Sequence, residues 1–339
     1  MMIMKRLLVL CLSLTLGRTA FAQQTSSQCP HGTVTAGVPD ANRATQDACQ
    51  QAIDLFAYMV PQLGIALTGG NATLGQGGAL GGLGHFTVGL RGNVVAGNVP
   101  QVNKVTVSDT GAVRRTNYPT GTQFLGLPAV DAAVGLFKGI PLPLTNVGGI
   151  DLLLSASYVP KVSGNNVTLD PDSPLKIGYG VRIGALQESI LVPGVSFTYL
   201  KRDLPKTTIT GTDGSDSLTI KNLDAATSAW RIVASKSLIV FSLAAGVGQD
   251  KYDASTSVQA TVHRTYNAIP LRFQTSVTPP KQSVTRTNYF ADVSLNMILA
   301  KIIGEIGMVS GGTVQTYNQF DAAPDKSRLY GSVGVRIGF

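Results

Sequence analysis

The sequence predicts an all-β protein: a transmembrane antiparallel up-and-down β-barrel of about ten strands, with twelve as the alternative count, preceded by a short N-terminal helical plug-like segment. Three observations carry this. Hydrophobic residues make up 44% of the 339-residue chain and charged ones only 14%, so the chain is too apolar to be disordered. Its apolar residues are nonetheless dispersed, and no run beyond the N-terminus approaches the roughly 18 residues of a membrane helix. Finally, segments of period-2 alternation recur from Leu83 to the end, joined by connections that alternate between long and short.

The first residues read as a secretory signal. Lys5 and Arg6 precede the apolar stretch Leu7 to Leu16, and Ala20-Phe21-Ala22 is a small-x-small cleavage site. Residues 1–22 are therefore set aside, and the net charge falls from +8 to +5 as Lys5, Arg6 and Arg18 leave. Such mild basicity, without a basic run, gives no reason to expect a nucleic-acid partner. Cys11 leaves with the signal; Cys29 and Cys49 remain in an oxidising compartment and are expected to form a disulfide. With only His31 nearby, the two cysteines do not make a zinc site.

Residues 23–82 differ in character from the rest of the chain and form a periplasmic or plug segment. Cys49, Ala52, Ile53, Phe56, Ala57 and Val60 fall at helical spacing, predicting a helix over 45–60 that Pro61 ends or kinks. A glycine-rich stretch, TGGNATLGQGGALGGLG from Thr68, then leads into the barrel, residues 83–339.

The candidate strands are 83–96, 129–138, 148–160, 174–188, 194–206, 218–234, 238–252, 285–299, 301–316 and 328–339. Most reach the roughly 9 to 11 residues needed to cross a bilayer at a tilt. The connections 97–128, 161–173, 207–217, 253–284 and 317–327 are long, 139–147 is modest, and 189–193, 235–237 and the junction at Ala300 are short. A membrane barrel sorts its connections in this way, with long loops outside and short turns inside. Val258 to Thr278 alternates again, which predicts a hairpin standing above the membrane.

The cleanest strand is the last, LYGSVGVRIGF from Leu329, with mostly apolar residues at odd positions and Gly, Ser, Arg or Tyr at even ones. This strand and its terminal Phe339 resemble the C-terminal signature of Gram-negative outer-membrane β-barrel proteins. The resemblance covers residues 83–339 by pattern and about the last ten by motif, and it points to no particular family within that class. It implies residence in the outer membrane, contact with outer-membrane lipid, and use of the export and barrel-assembly machinery, with Phe339 as the assembly signal.

Fixing Phe339 toward lipid sets the phase of the other strands. Phe86, Val88 and Leu90 face out while Thr87, Arg91 and Asn93 face in; Ile302, Ile306 and Met308 oppose Glu305. The predicted lumen-lining set is Arg91, Asp151, Lys176, Arg182, Arg231, Asp292, Glu305 and Arg336, mixed in sign with a positive excess. On the lipid face near the midplane an Arg or Lys would cost about 2 to 4 kcal/mol. Arg336 and Glu305 are expected to pair across neighbouring strands. Inward glycines at 89, 178, 180, 184, 246, 248 and 307 clear space for a thin pore or an inserted segment, and Phe86, Phe137, Tyr158, Tyr199, Trp230 and Tyr289 suit interfacial girdles.

Motifs for other chemistry are absent from the sequence. Gly75-Gln76-Gly77-Gly78-Ala79-Leu80 has Leu where a dinucleotide fingerprint needs glycine and precedes a strand where it should follow one, so no cofactor is expected. His31, His85 and His263 lack a local serine-hydrolase pattern, and the acidic turns at Asp170 and Asp213 lack a full calcium-ligand series, so neither catalysis nor a metal is expected. The expected function is passive passage of small solutes, with apolar ones as one possibility. The alternative is a closed barrel that presents its loops for surface interaction or anchoring.

Overall fold

The computed structural model describes residues 29–108, 110–164 and 167–338. The expected signal peptide and the expected assembly signal Phe339 lie outside them.

Ten strands form the barrel, numbered here in chain order: β1 Phe86–Pro100, β2 Thr120–Phe137, β3 Gly149–Tyr158, β4 Leu175–Leu186, β5 Gly194–Asp203, β6 Asp216–Leu238, β7 Phe241–Tyr266, β8 Gln282–Asn296, β9 Ala300–Ser310 and β10 Arg328–Gly338. Each pairs antiparallel with its sequence neighbours, and β10 closes the ring on β1 through Tyr330–Val95 to Gly338–Thr87. Closure removes the open sheet edges that a bilayer cannot solvate. The alternation read from the sequence sets the two faces. On β7, Phe241, Leu243, Ala245 and Val247 are exposed to the outside while Ser242, Ala244, Gly248 and Asp250 face the interior. The same strand continues outward as Gln249, Lys251 and Asp253, which marks the outer limit of the apolar belt. Phe86, Phe137, Tyr158, Tyr199 and Tyr289 are all exposed on this outer surface, as interfacial aromatics should be.

The connections at one end are residues 138–148, 187–193, 239–240 and 297–299, and those at the other end are longer and carry added structure. By the rule for such barrels the short turns, with both ends of the ring, are periplasmic. The predicted surface hairpin is present: β7 pairs with Ile269–Val277 across a turn at Asn267-Ala268, both with positive φ (49° and 64°). That is the backbone a two-residue hairpin turn requires. β2, β6 and β7 run further than the alternation alone suggested, β6 and β7 (23 and 26 residues) staying paired well beyond the belt, whereas β3, β4, β5 and β9 are shorter than expected.

The one α-helix among the described residues, α1, spans Ala41–Thr68, 28 residues or about 42 Å. Asp40 caps it by accepting the Arg43 N–H at 2.8 Å. It is longer than predicted at both ends and runs through Pro61. The missing amide costs one intrahelical bond, and the surrounding wall outweighs that loss by enclosing almost every face of the helix. Phe56, Ala57, Val60 and Ile65 join Tyr252, Phe290 and Tyr330 of the wall in one core.

The path of this segment is the main feature of the fold. Ala44 and Ala48 pack on Ala260 and Val262 in the outer extension of β7. Lower down, Gln62 exchanges hydrogen bonds with the Asn98 backbone (2.9 and 2.7 Å), and Thr68 meets Asp250 at 3.0 Å. Beyond the helix, Leu74 touches Arg336, Ala79 reaches Gln187, and Gly82 abuts Gly135 and Lys138 at the inner rim. Residues 41–84 therefore thread the lumen from the outer mouth to the inner rim, and residues 29–40 lie at the outer mouth. There Cys29 is bonded to Cys49 on α1.

Two measurements check this path. With Val34→Cys, on an exposed residue, a membrane-impermeant maleimide labels intact cells, whereas with Ile239→Cys in a short turn it labels only after the outer membrane is permeabilised; the reverse pattern would invert the barrel. Replacing Cys29 and Cys49 by Ser loosens the N-terminal hairpin, in which Val34–Thr35 pairs with Val38–Pro39, by about 2 to 4 kcal/mol, seen as protease trimming of residues 29–40 on intact cells while the barrel stays intact.

Candidate lumen site

An α-helix ends with carbonyl groups that have no partner within the helix and with the negative end of its dipole. The last turn of α1 carries no basic residue of its own. The wall supplies the missing partners. Asn93 Nδ2 donates to the Ile65 and Ala66 carbonyls at 3.0 and 2.7 Å. Arg202 Nη1 donates to the carbonyls of Thr68 and Gly70 (3.2 and 3.0 Å), Arg231 Nη2 to that of Thr68 (2.5 Å), and Arg91 Nη1 to that of Gly69. Three arginines from three strands thus converge on the end of one helix.

Each of those arginines is held by an acid on the wall. Arg91 meets Asp131 at 2.7 Å, Arg202 approaches the same carboxylate at 3.7 Å, and Arg231 approaches Asp250 at 3.6 Å while lying over the Phe290 ring. Ser155 Oγ also donates to Asp131, at 2.6 Å. Glycines opposite the arginines let them lie flat: Gly248 faces Arg231 in register, and a Cβ there would stand 2.8 Å from the Arg231 side chain. The same device seats aromatic rings, with Phe290 over Gly246 and Tyr330 over Gly307.

Below the helix the glycine-rich segment hangs from a second set of contacts. Arg182, fully buried and paired with Asp151 at 2.7 Å, donates to Thr73 Oγ1 at 2.6 Å. Asp151 accepts the Leu80 N–H at 3.1 Å, Ser235 Oγ the Gly77 N–H at 2.8 Å, and Asp292 the Gly75 N–H at 3.3 Å. Gly77 lies so close to the wall that a Cβ would sit 2.4 Å from the Ser235 nitrogen. Here the segment needs glycine for close approach.

Above, α1 grips the outer loops with its own carboxylates. Asp47 accepts the Ser108 and Arg114 N–H groups at 2.7 and 3.0 Å, and Asp54 those of Tyr317 and Asn318 at 3.0 and 2.9 Å. Tyr58 stacks on Phe320 and Phe320 on Tyr118 (4.2 and 5.1 Å between centroids). Burial pushes the Tyr118 phenol above its ordinary range.

Of the predicted lumen residues, Arg91, Asp151, Arg182, Arg231, Asp292, Glu305 and Arg336 are buried on the inner face. Lys176 is a correction: it has inward parity but sits exposed near the outer end of β4, above the belt. The pairing of Arg336 with Glu305 is a second correction. Register places Lys301 opposite Arg336, Ser332 opposite Glu305, and Asp292 directly across from Glu305. Asp292 Oδ1 and both Glu305 oxygens are buried without a hydrogen-bond donor. Asp131, Arg202 and Asp250 were not singled out from the sequence, although each has inward parity on a predicted strand. Their inclusion also removes the expected positive excess at membrane height: Arg91, Arg182, Arg202, Arg231 and Arg336 stand against Asp131, Asp151, Asp250, Asp292 and Glu305. The histidines are dispersed, His31 against Gln46, His263 beside Asp216 and His85 exposed at the inner rim.

Asp292→Asn keeps an acceptor for Gly75 and gives Glu305 a donor, so the barrel gains roughly 1 kcal/mol; urea unfolding in detergent micelles measures this. Arg91→Ala strands Asp131 and frees the Gly69 carbonyl at a cost of roughly 3 kcal/mol. Amide exchange then quickens over residues 65–70 before it changes in the strands.

No family model matches the chain, and no curated protein matches it. Solved structures aligned with it include the transport unit of the autotransporter AIDA-I from Escherichia coli (8% identity, 86% of this chain and 98% of that one, TM-score 0.35). Others are the CymD monoaromatic hydrocarbon channel (10%, 86% and 93%, TM-score 0.25) and the Ralstonia pickettii toluene transporter TbuX (12%, 80% and 92%, TM-score 0.22). These superpositions are loose, and the assignment rests instead on the closed even-stranded ring, its apolar belt and its exposed aromatics. The chain is an outer-membrane β-barrel protein whose lumen is filled by its own N-terminal segment.

Proposed function

We propose that the protein is a self-plugged channel for small solutes, closed in the conformation described and opened when residues 69–84 leave the lumen. The observation that supports this is the way the membrane-height part of the lumen is filled. Its occupant there is a glycine-rich strip with little side-chain volume, held by hydrogen bonds to wall side chains and by one small apolar cluster in which Ala72 and Leu80 meet Ala133, Leu153 and Leu200. Such hydrogen bonds exchange with water far more readily than a packed apolar core. Departure of the strip would expose a corridor lined by balanced arginines and carboxylates, which suits polar solutes better than apolar ones. The reading includes no catalytic step.

A second reading has one observation in its favour. The extensions of β6 and β7, the hairpin at Ile269–Val277 and the loops clamped by Asp47 and Asp54 form an ordered structure above the belt. A permanently closed barrel could present that surface to a partner.

Solute flux into liposomes separates the two. The intact mature protein passes small sugars slowly, full-length Arg91→Ala passes them faster, and a version lacking residues 23–80 passes them fastest. A truncated barrel that refolds and remains tight would abandon the channel in favour of surface presentation.

A further inference from the structure

A cavity of about 290 Å³ opens at the inner rim, between the plug and the wall. Its lining includes Lys301, Arg336, Glu188, Gln187 and His85, with Gly75 to Leu80 of the plug on one side. Lys301 and Arg336 are direct cross-strand partners on the inner face. Like charges placed so are destabilising unless something lies between them. Among the described residues neither forms an ion pair with a carboxylate. Glu188, the acid in the lining, already accepts from Ser235 Oγ (3.2 Å) and from the Ser237 N–H.

Among the described residues, two cations share this lining with one engaged carboxylate. The cavity volume exceeds what a bare inorganic anion fills. Gln187 adds an independent sign: its Nε2 donates to the Ala79 carbonyl at 2.7 Å, while its Oε1 is buried with no donor. A buried acceptor left without a donor in a cavity wall points to an absent partner. We propose that this vestibule binds a small organic monocarboxylate bearing a hydroxyl, with the carboxylate between Lys301 and Arg336 and the hydroxyl donating to Gln187.

The site touches the gate. Arg336 Nη1 donates to the Leu74 carbonyl at 2.8 Å, so a carboxylate that recruits this guanidinium competes with the plug for it. Ligand from the periplasmic side would loosen residues 74–80. This coupling rests on the self-plugged channel reading; the binding site does not.

The test is isothermal titration of the full mature protein in detergent with lactate, using lactamide as the neutral control. Lactate binds and lactamide does not. Lys301→Gln, which removes a cation that does not hold the plug, weakens lactate by about tenfold, while heat-modifiable migration confirms a folded barrel. Gln187→Leu weakens lactate but leaves acetate, which lacks the hydroxyl, unchanged. Absence of lactate binding, equal binding of lactamide, or unchanged affinity in Lys301→Gln would overturn the proposal. Flux is read separately: binding without flux in any version removes the channel and keeps the vestibule site, whereas flux without binding does the opposite.

Discussion

The structure depends on how the end of one helix is satisfied. The terminal carbonyls of α1 stop inside a barrel, where bulk water is replaced by wall. Asn93, Arg91, Arg202 and Arg231 answer them, and Asp131 and Asp250 in turn hold the arginines. Removing any partner leaves a buried charge or an orphan carbonyl, so helix and wall stabilise each other. Wall charges that would only burden an empty lumen become the socket for the plug.

The second constraint is width. A ten-stranded ring has little interior, and this chain divides the space by height. Above the belt, extended β6 and β7 and the outer loops enclose a full helix, with Gly64 letting the Tyr252 ring lie against it. Within the belt the occupant thins to a glycine-rich strip, and wall glycines at 246, 248 and 307 give further room for Phe290, Arg231 and Tyr330. The change from packed helix to bonded strip occurs at Thr68–Gly70, where the arginines converge. That boundary separates a firmly held half of the plug from a more easily displaced one, and the channel reading relies on it.

The chain's path gives the two ends of the molecule different characters. At the outer mouth the N-terminal hairpin is tied by Cys29–Cys49, and α1 holds two loops through Asp47 and Asp54. At the inner rim the strip leaves a small vestibule beside Lys301 and Arg336. Any signal that moves the strip meets least resistance from below.

Much of this was legible in the sequence. Period-2 alternation fixed the strands, their inward and outward faces and the sorting of loops, because each follows from local geometry and from the two solvents a barrel wall meets. It placed Arg91, Asp151, Arg182, Arg231, Asp292, Glu305 and Arg336 inside. Parity, however, gives a side and not a neighbour: Lys176 kept its parity but stands above the belt, and Glu305 meets Asp292 where Arg336 was expected. Register between strands is a long-range property set by turns and bulges around the whole ring. The passage of α1 through Pro61 and the descent of residues 41–84 from the outer mouth were likewise decided by tertiary structure. Only the closed wall supplies the enclosure that keeps the helix going and the arginines that end it.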